Sequence, residues 1–120
     1  MKILVTDDSK MARKMLIRTL DNFSDKVHEI LQAANGKECL EMYKEHNPDL
    51  VFLDLTMPIM DGFEALKELK KYDDNVQVII VSADIQKGSL SKVLEDGAKN
   101  FLKKPIDANK MKSIFDKLGY

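Results

Sequence analysis

Cysteine is almost missing from this chain, since Cys39 stands alone. An intrachain disulfide and a cysteine-rich zinc site are therefore excluded. An excess of either charge is missing too. With 19 Lys and Arg against 20 Asp and Glu, the net charge is −1, so no global field draws in nucleic acid or anionic lipid. No apolar run approaches the roughly 18 residues that span a bilayer. The opening residues Met1 to Asp8 reach acids too early for a secretory signal. These absences make a cytoplasmic protein the expectation, without direct contact to nucleic acid or membrane. No interdomain linker, low-complexity tract or repeat is visible, and residues 1–120 suit one domain.

What is present is a regular alternation. Hydrophobic residues make up 44% of the chain and charged residues 32%, enough for a real core under a polar surface. Short apolar runs occur at Ile3-Leu4-Val5, Val27 to Ala33, Leu50-Val51-Phe52-Leu53, Val76 to Val81 and Ala98 to Leu102. Such continuous runs suit strands of a parallel sheet buried on both faces. Between them lie helix-period segments at roughly 9–22, 36–46, 62–71, 87–96 and 107–118. Their inward faces read Ala12, Met15, Leu16, Thr19 and Leu20; Cys39, Leu40 and Tyr43; Phe63, Leu66 and Leu69; Leu90, Val93 and Leu94; Met111, Ile114, Phe115 and Leu118. The methionines read mostly as core filler. Ser9, Asn35, Asp61 and Asp107 are the expected N-caps, and Gly97 an expected left-handed stop.

Five βα units with right-handed crossovers give an α/β sandwich: a doubly wound parallel sheet with helices on both sides. Two strand orders compete, 2-1-3-4-5 and a dinucleotide-binding half. The first βα turn, Asp7-Asp8-Ser9-Lys10, has no glycine, which argues against a dinucleotide fingerprint.

Ligands of open α/β sheets bind beyond the carboxyl ends of the strands. There stand Asp7-Asp8 after strand one, Asp54 after strand three, Ser82 after strand four and Lys104-Pro105 after strand five. In the order 2-1-3-4-5, strands one and three are neighbours about 4.8 Å apart, so their terminal carboxylates converge. Carboxylates that close repel one another. A hard divalent ion would relieve the repulsion, because every ligand is oxygen; magnesium fits, manganese could substitute, and the Thr56 carbonyl is a further candidate ligand. A carboxylate can also attack phosphorus. Lys104 and the Ser82 hydroxyl would then meet the phosphoryl oxygens. The bland readings are plain: Asp7-Asp8 facing the positive end of helix one, Asp54 as a turn residue, Lys104 as a solvated lysine. Lys10, Lys14 and Arg18 form either a solvated face or a docking stripe for an acidic phosphotransfer partner, beside Met11.

Asp7-Asp8, Leu53-Asp54-Leu55-Thr56-Met57-Pro58-Ile59-Met60-Asp61-Gly62, Val81-Ser82-Ala83 and Lys103-Lys104-Pro105 occur in order at strand ends. In this the chain resembles receiver domains of two-component response regulators, over essentially its whole length and most of all the single-domain, CheY-like kind. The resemblance implies a flavodoxin-like fold of order 2-1-3-4-5. It implies that Asp7 and Asp8 hold magnesium, that Asp54 accepts a phosphoryl group, and that Ser82 and Lys104 bind it. It also implies a cis bond before Pro105 and a switching aromatic, here Phe101. Thr56 and Asp84 occupy positions that tune the lifetime of the acyl phosphate. The partners implied are a histidine kinase or histidine phosphotransfer protein, a target on helix four, strand five and helix five, and a phosphatase. The expected role is a switch without turnover chemistry or an attached output domain, with chemotaxis as one pathway. Ser82 stands where threonine is commoner, and Phe101 lacks the hydroxyl of tyrosine. Two other readings stay open: a relay intermediate that passes its phosphoryl group on, and a haloacid dehalogenase-type phosphatase. The latter normally carries an acid two residues after the nucleophile, where this chain has Thr56.

Overall fold

A computed structural model describes residues 1–83 and 86–120. The strands are β1 (Lys2–Thr6), β2 (Glu29–Ala33), β3 (Leu50–Asp54), β4 (Val78–Ser82) and β5 (Asn100–Lys103). The helices are α1 (Lys10–Leu20), α2 (Gly36–His46), α3 (Gly62–Tyr72), α4 (Lys87–Glu95) and α5 (Ala108–Leu118). A 3-10 turn, Asp21–Phe23, extends α1. The strands form one parallel sheet in the order β2-β1-β3-β4-β5.

The period-two alternation of each strand feeds two separate cores. Ile3, Val5, Phe52, Ile79 and Val81 face α1 and α5, meeting Leu16, Leu20, Met111, Ile114 and Phe115. Leu4, Val51, Leu53, Val78 and Ile80 face the other layer, meeting Cys39, Tyr43, Leu66, Leu69 and Val93. Every residue of β3 and β4 is buried, as expected of central strands, whereas no residue of edge strand β5 is fully buried. Each fully buried Leu, Ile or Phe contributes about 1.5–3 kcal/mol relative to exposure, so the two layers supply most of the driving force. Cys39 is fully buried, and burial pushes its thiol up to about 11, an inert small hydrophobe.

Local chemistry sets the helix starts. Ser9, Asn35, Asp61 and Asp107 each accept a bond from the backbone N–H three residues on. Glu38 reaches back to Ala34 N at 2.9 Å, completing a box around the start of α2. Gly97, with φ +107, turns the chain out of α4.

Two expected core residues need correction. Met15 is 53% exposed and Leu94 44% exposed. Each lies about 100° around its helix from the residue that is buried, Leu16 or Val93; the buried stripe is narrower than the apolar one. Met57 and Met111 are buried, but Met11 and Met15 are exposed and Met1, Met42 and Met60 are half-buried. Five of the seven methionines therefore lie in a core or pack against one, as core filler should, and the two on α1 face solvent.

Candidate functional site at the carboxyl end of the sheet

The register decides what meets. Thr6 pairs with Leu53 across β1 and β3, so Asp7 and Asp54 both follow that pair. Ser82 pairs with Lys103 across β4 and β5, and Lys104 N donates to Ser82 O at 2.9 Å. The strand tips thus deliver Asp7, Asp8, Asp54, Ser82 and Lys104 to one cleft of about 370 Å3, with Thr56 on its wall.

Asp7 and Asp54 are buried, at 6% and 7% exposure, while Asp8 is open to solvent. One oxygen from each carboxylate lies within 4.8 Å of the others. Lys104 Nζ is 2.6 Å from Asp7 Oδ2 and 3.8 Å from Asp54 Oδ1. Asp7 Oδ1 accepts from Ser9 N at 2.9 Å, and the Asp7 carbonyl accepts from the Arg13 guanidinium at 2.7 Å. Two of the three clustered carboxylates, Asp7 and Asp54, therefore share one ammonium. Burial, then the charge of Asp7, pushes Asp54 up to about 6, against the opposing pull of Lys104 and the Leu55 N–H. An all-oxygen, anionic, half-open nest of this kind fits a hard divalent cation with waters left on it, and lacks the nitrogen or sulfur that zinc prefers.

The loop after Asp54 is fixed rather than loose. Gly62 N donates to Leu55 O at 2.9 Å, and a Cβ on Gly62 would lie 2.1 Å from Asp54 O, so only glycine fits. Met60 N donates to Pro58 O at 2.7 Å around Ile59, whose φ is +69. This is a γ-turn of the rarer positive-φ kind, costly for a β-branched residue. Gly36 N holds Met60 O from α2 at 2.9 Å. Phe101 lies away from the cleft, half-buried and packed on the layer of α2, α3 and α4. The Lys104–Pro105 bond is cis. Asp84 lies outside the described residues.

A model for the response regulator receiver domain matches residues 3–116. The chain belongs to this family. It is 39% identical over 116 residues to chemotaxis protein CheY of Bacillus subtilis strain 168, covering 97% of this chain and 95% of that protein. It is 35% identical over 116 residues to sporulation initiation phosphotransferase F of the same strain, covering 97% and 91%. Among solved structures it superposes on the CheX-CheY-BeF3-Mg+2 complex from Borrelia burgdorferi with a TM-score of 0.89 at 35% identity, covering 98% of this chain and 88% of that one. The receiver is a signalling switch of two-component pathways, not a turnover enzyme, and its likeness to CheY proteins fits a chemotaxis role.

Sequence reasoning missed one part of the region. Behind the Lys104–Asp7 ion pair lies a mainly apolar cavity of about 410 Å3 between α1 and the segment after β5, lined by Met15, Leu16, Thr19, Phe52 and Ile106 among others. Thr19 and Lys110 each bind a backbone carbonyl of that segment, and Lys110 also binds the last carbonyl of β5. The signal that was there is Lys110 itself, a cation in the first turn of α5, where the helix dipole favours an acid. Among the described residues, no helix is long and apolar enough to cross a membrane.

Proposed function

We propose that Asp54 accepts a phosphoryl group from a phosphohistidine of a histidine kinase or histidine phosphotransfer protein, and that the modified chain changes its affinity for a target protein. The observation that carries this reading is the convergence of Asp7, Asp8 and Asp54 within 4.8 Å, with Lys104 alongside. An Asp54 carboxylate oxygen attacks phosphorus and forms the new P–O bond. The P–N bond of the donor breaks, and the imidazole nitrogen leaves with the electron pair. Hydrolysis later returns Asp54 and inorganic phosphate, so the chain catalyses its own turn-on and turn-off. Lys104 leaves Asp7 to pair with a phosphoryl oxygen, and the Ser82 hydroxyl donates to another. Magnesium, or manganese in its place, would be held by Asp7, Asp8, Asp54 and the Thr56 carbonyl, and would neutralise charge on the transferring group.

The output passes through Ser82 to Phe101 and the surface of α4, β5 and α5, at a coupling of about 1–3 kcal/mol. Thr56 and Asp84 tune how long the acyl phosphate lasts. The CheX-CheY complex supports a further partner, a phosphatase. The similar CheY proteins support a cytoplasmic place in chemotaxis. A relay role, with the group passed to a second histidine protein, is favoured by the likeness to sporulation initiation phosphotransferase F; reverse transfer from Asp54 to a phosphotransfer domain would establish it. The test of the main reading is incubation with acetyl phosphate and magnesium followed by intact-mass spectrometry. One phosphoryl group per chain is expected, and none on Asp54→Asn; a labelled variant would place the nucleophile elsewhere.

A further inference from the structure

Lys104 must deliver its ammonium to one point, yet it sits at the start of the segment 104–107, between β5 and the N-cap of α5. A long stem on a loose base would leave that point undefined. The segment is instead held carbonyl by carbonyl. Lys110 Nζ donates to Lys103 O and to Pro105 O, both at 2.9 Å. These two carbonyls flank Lys104 on either side. Thr19 Oγ1, on α1, lies 3.1 Å from Ile106 O and 3.1 Å from Met15 O, tying the next residue across the apolar cavity. The Lys104 N–H is already committed to Ser82 O.

Lys110 stands three residues after the N-cap Asp107, and Asp107 caps its backbone N–H at 2.8 Å. That position usually carries Glu or Gln, which reach back to the cap. A cation there opposes the helix dipole. A locally unfavourable choice points to a compensating role, and the geometry supplies one. An ammonium has three donors and no acceptor, so it can clamp two carbonyls at once.

We propose that Lys110 is a positioning residue, whose ammonium ties the carbonyls on both sides of Lys104 and so fixes where the Lys104 side chain points. The proposal rests on the reading that Lys104 binds the phosphoryl group. Thr19 assists from the opposite side of the segment.

The experiment uses the full chain with acetyl phosphate as donor. It compares the phosphorylation rate at saturating magnesium, the apparent magnesium affinity and the melting temperature. Lys110→Met is expected to be about 10-fold slower, because small misplacements of a reacting group cost that much or more. Magnesium affinity should stay within about twofold, since the metal's proposed carboxylates are not on the segment. Lys110→Arg should recover most of the rate, because it restores a cationic donor pair. The deficit should persist at high salt, where the field of a remote charge fades. Thr19→Val should slow the reaction in the same direction and by less.

A Lys110→Met rate within about twofold of wild type would overturn the proposal if Lys104→Met is slow. So would a deficit that vanishes in salt, or a joint fall of rate, metal affinity and melting temperature without rescue by arginine. A Lys104→Met protein that reacts at the wild-type rate removes the reading beneath it, and the proposal falls with it. Should Lys110→Met not fold, Thr19→Val decides, and an unchanged rate there overturns the clamp.

Discussion

The two ends of the sheet obey different rules. At the amino end several conspicuous polar groups have ordinary partners. Lys2 N donates to Asp49 Oδ2 at 2.7 Å, Tyr43 OH to Asp73 Oδ2 at 2.7 Å, and Gln77 Nε2 to Asp49 O at 3.1 Å. The Tyr43 pair is seen in both partners: burial and then Asp73 push the phenol up, while Tyr43 holds Asp73 down. At the carboxyl end three carboxylates crowd together and two of them share one ammonium, Ile59 takes a left-handed backbone, and Lys110 opposes its own helix. Local preference and global fold agree at one end and conflict at the other. The conflict is what a binding site for a cation and a phosphoryl group requires, and the two apolar layers between the ends sustain it.

The contrast can be tested from either side. The largest effect belongs to the layers: Phe115→Ala, at a residue 1% exposed, should cost about 3–5 kcal/mol by urea denaturation. A loss below 1 kcal/mol, by the same scale, would mean the layers do not sustain the strained end. Next comes Asp54. Its carboxyl is raised to about 6 when folded, so the native state binds the proton more tightly than the unfolded chain. Stability from this group is present at low pH and is lost as pH rises through about 6. Without divalent ions, Asp54→Asn should therefore melt higher than wild type at alkaline pH, by about 2 kcal/mol. The gain should disappear toward the ordinary carboxylate range; a gain that grows in acid would reverse the sign of the argument.

Smaller effects separate backbone from side chain. Ile59→Gly should stabilise by about 1 kcal/mol, because glycine accepts the positive φ. Ile59 is 78% exposed, so little packing is lost, and a destabilised variant would show that its side chain holds the loop. Tyr43→Phe, at the quiet end, should cost about 1 kcal/mol and leave magnesium affinity unchanged. A change in metal affinity there would erase the distinction between the ends.

Much of this was legible in the residues. The apolar runs, the four capping residues and the glycine-free first turn specified the layers, and the strand-end acids pointed to the site. What stayed hidden depends on contacts far apart in sequence. The Thr19 hydroxyl meets Ile106 across 87 positions, and no periodicity encodes that. Met15 and Leu94 carry apolar side chains in a helical pattern, but which flank is covered depends on where each helix lies over the sheet. Ile59 is misleading in another way: a β-branched residue argues for φ below zero, and the bonds of Gly36 and Pro58 to Met60 overrule it.

The central claim is that anionic strand tips are held together in wait for a metal ion. Thermal melting in alkaline buffer, with and without millimolar magnesium, tests it most directly on wild type beside Asp7→Asn. The account predicts a clear rise for wild type and little or none for the variant, because the ion binds the folded site alone. Equal responses from the two proteins, or none from wild type, would contradict it.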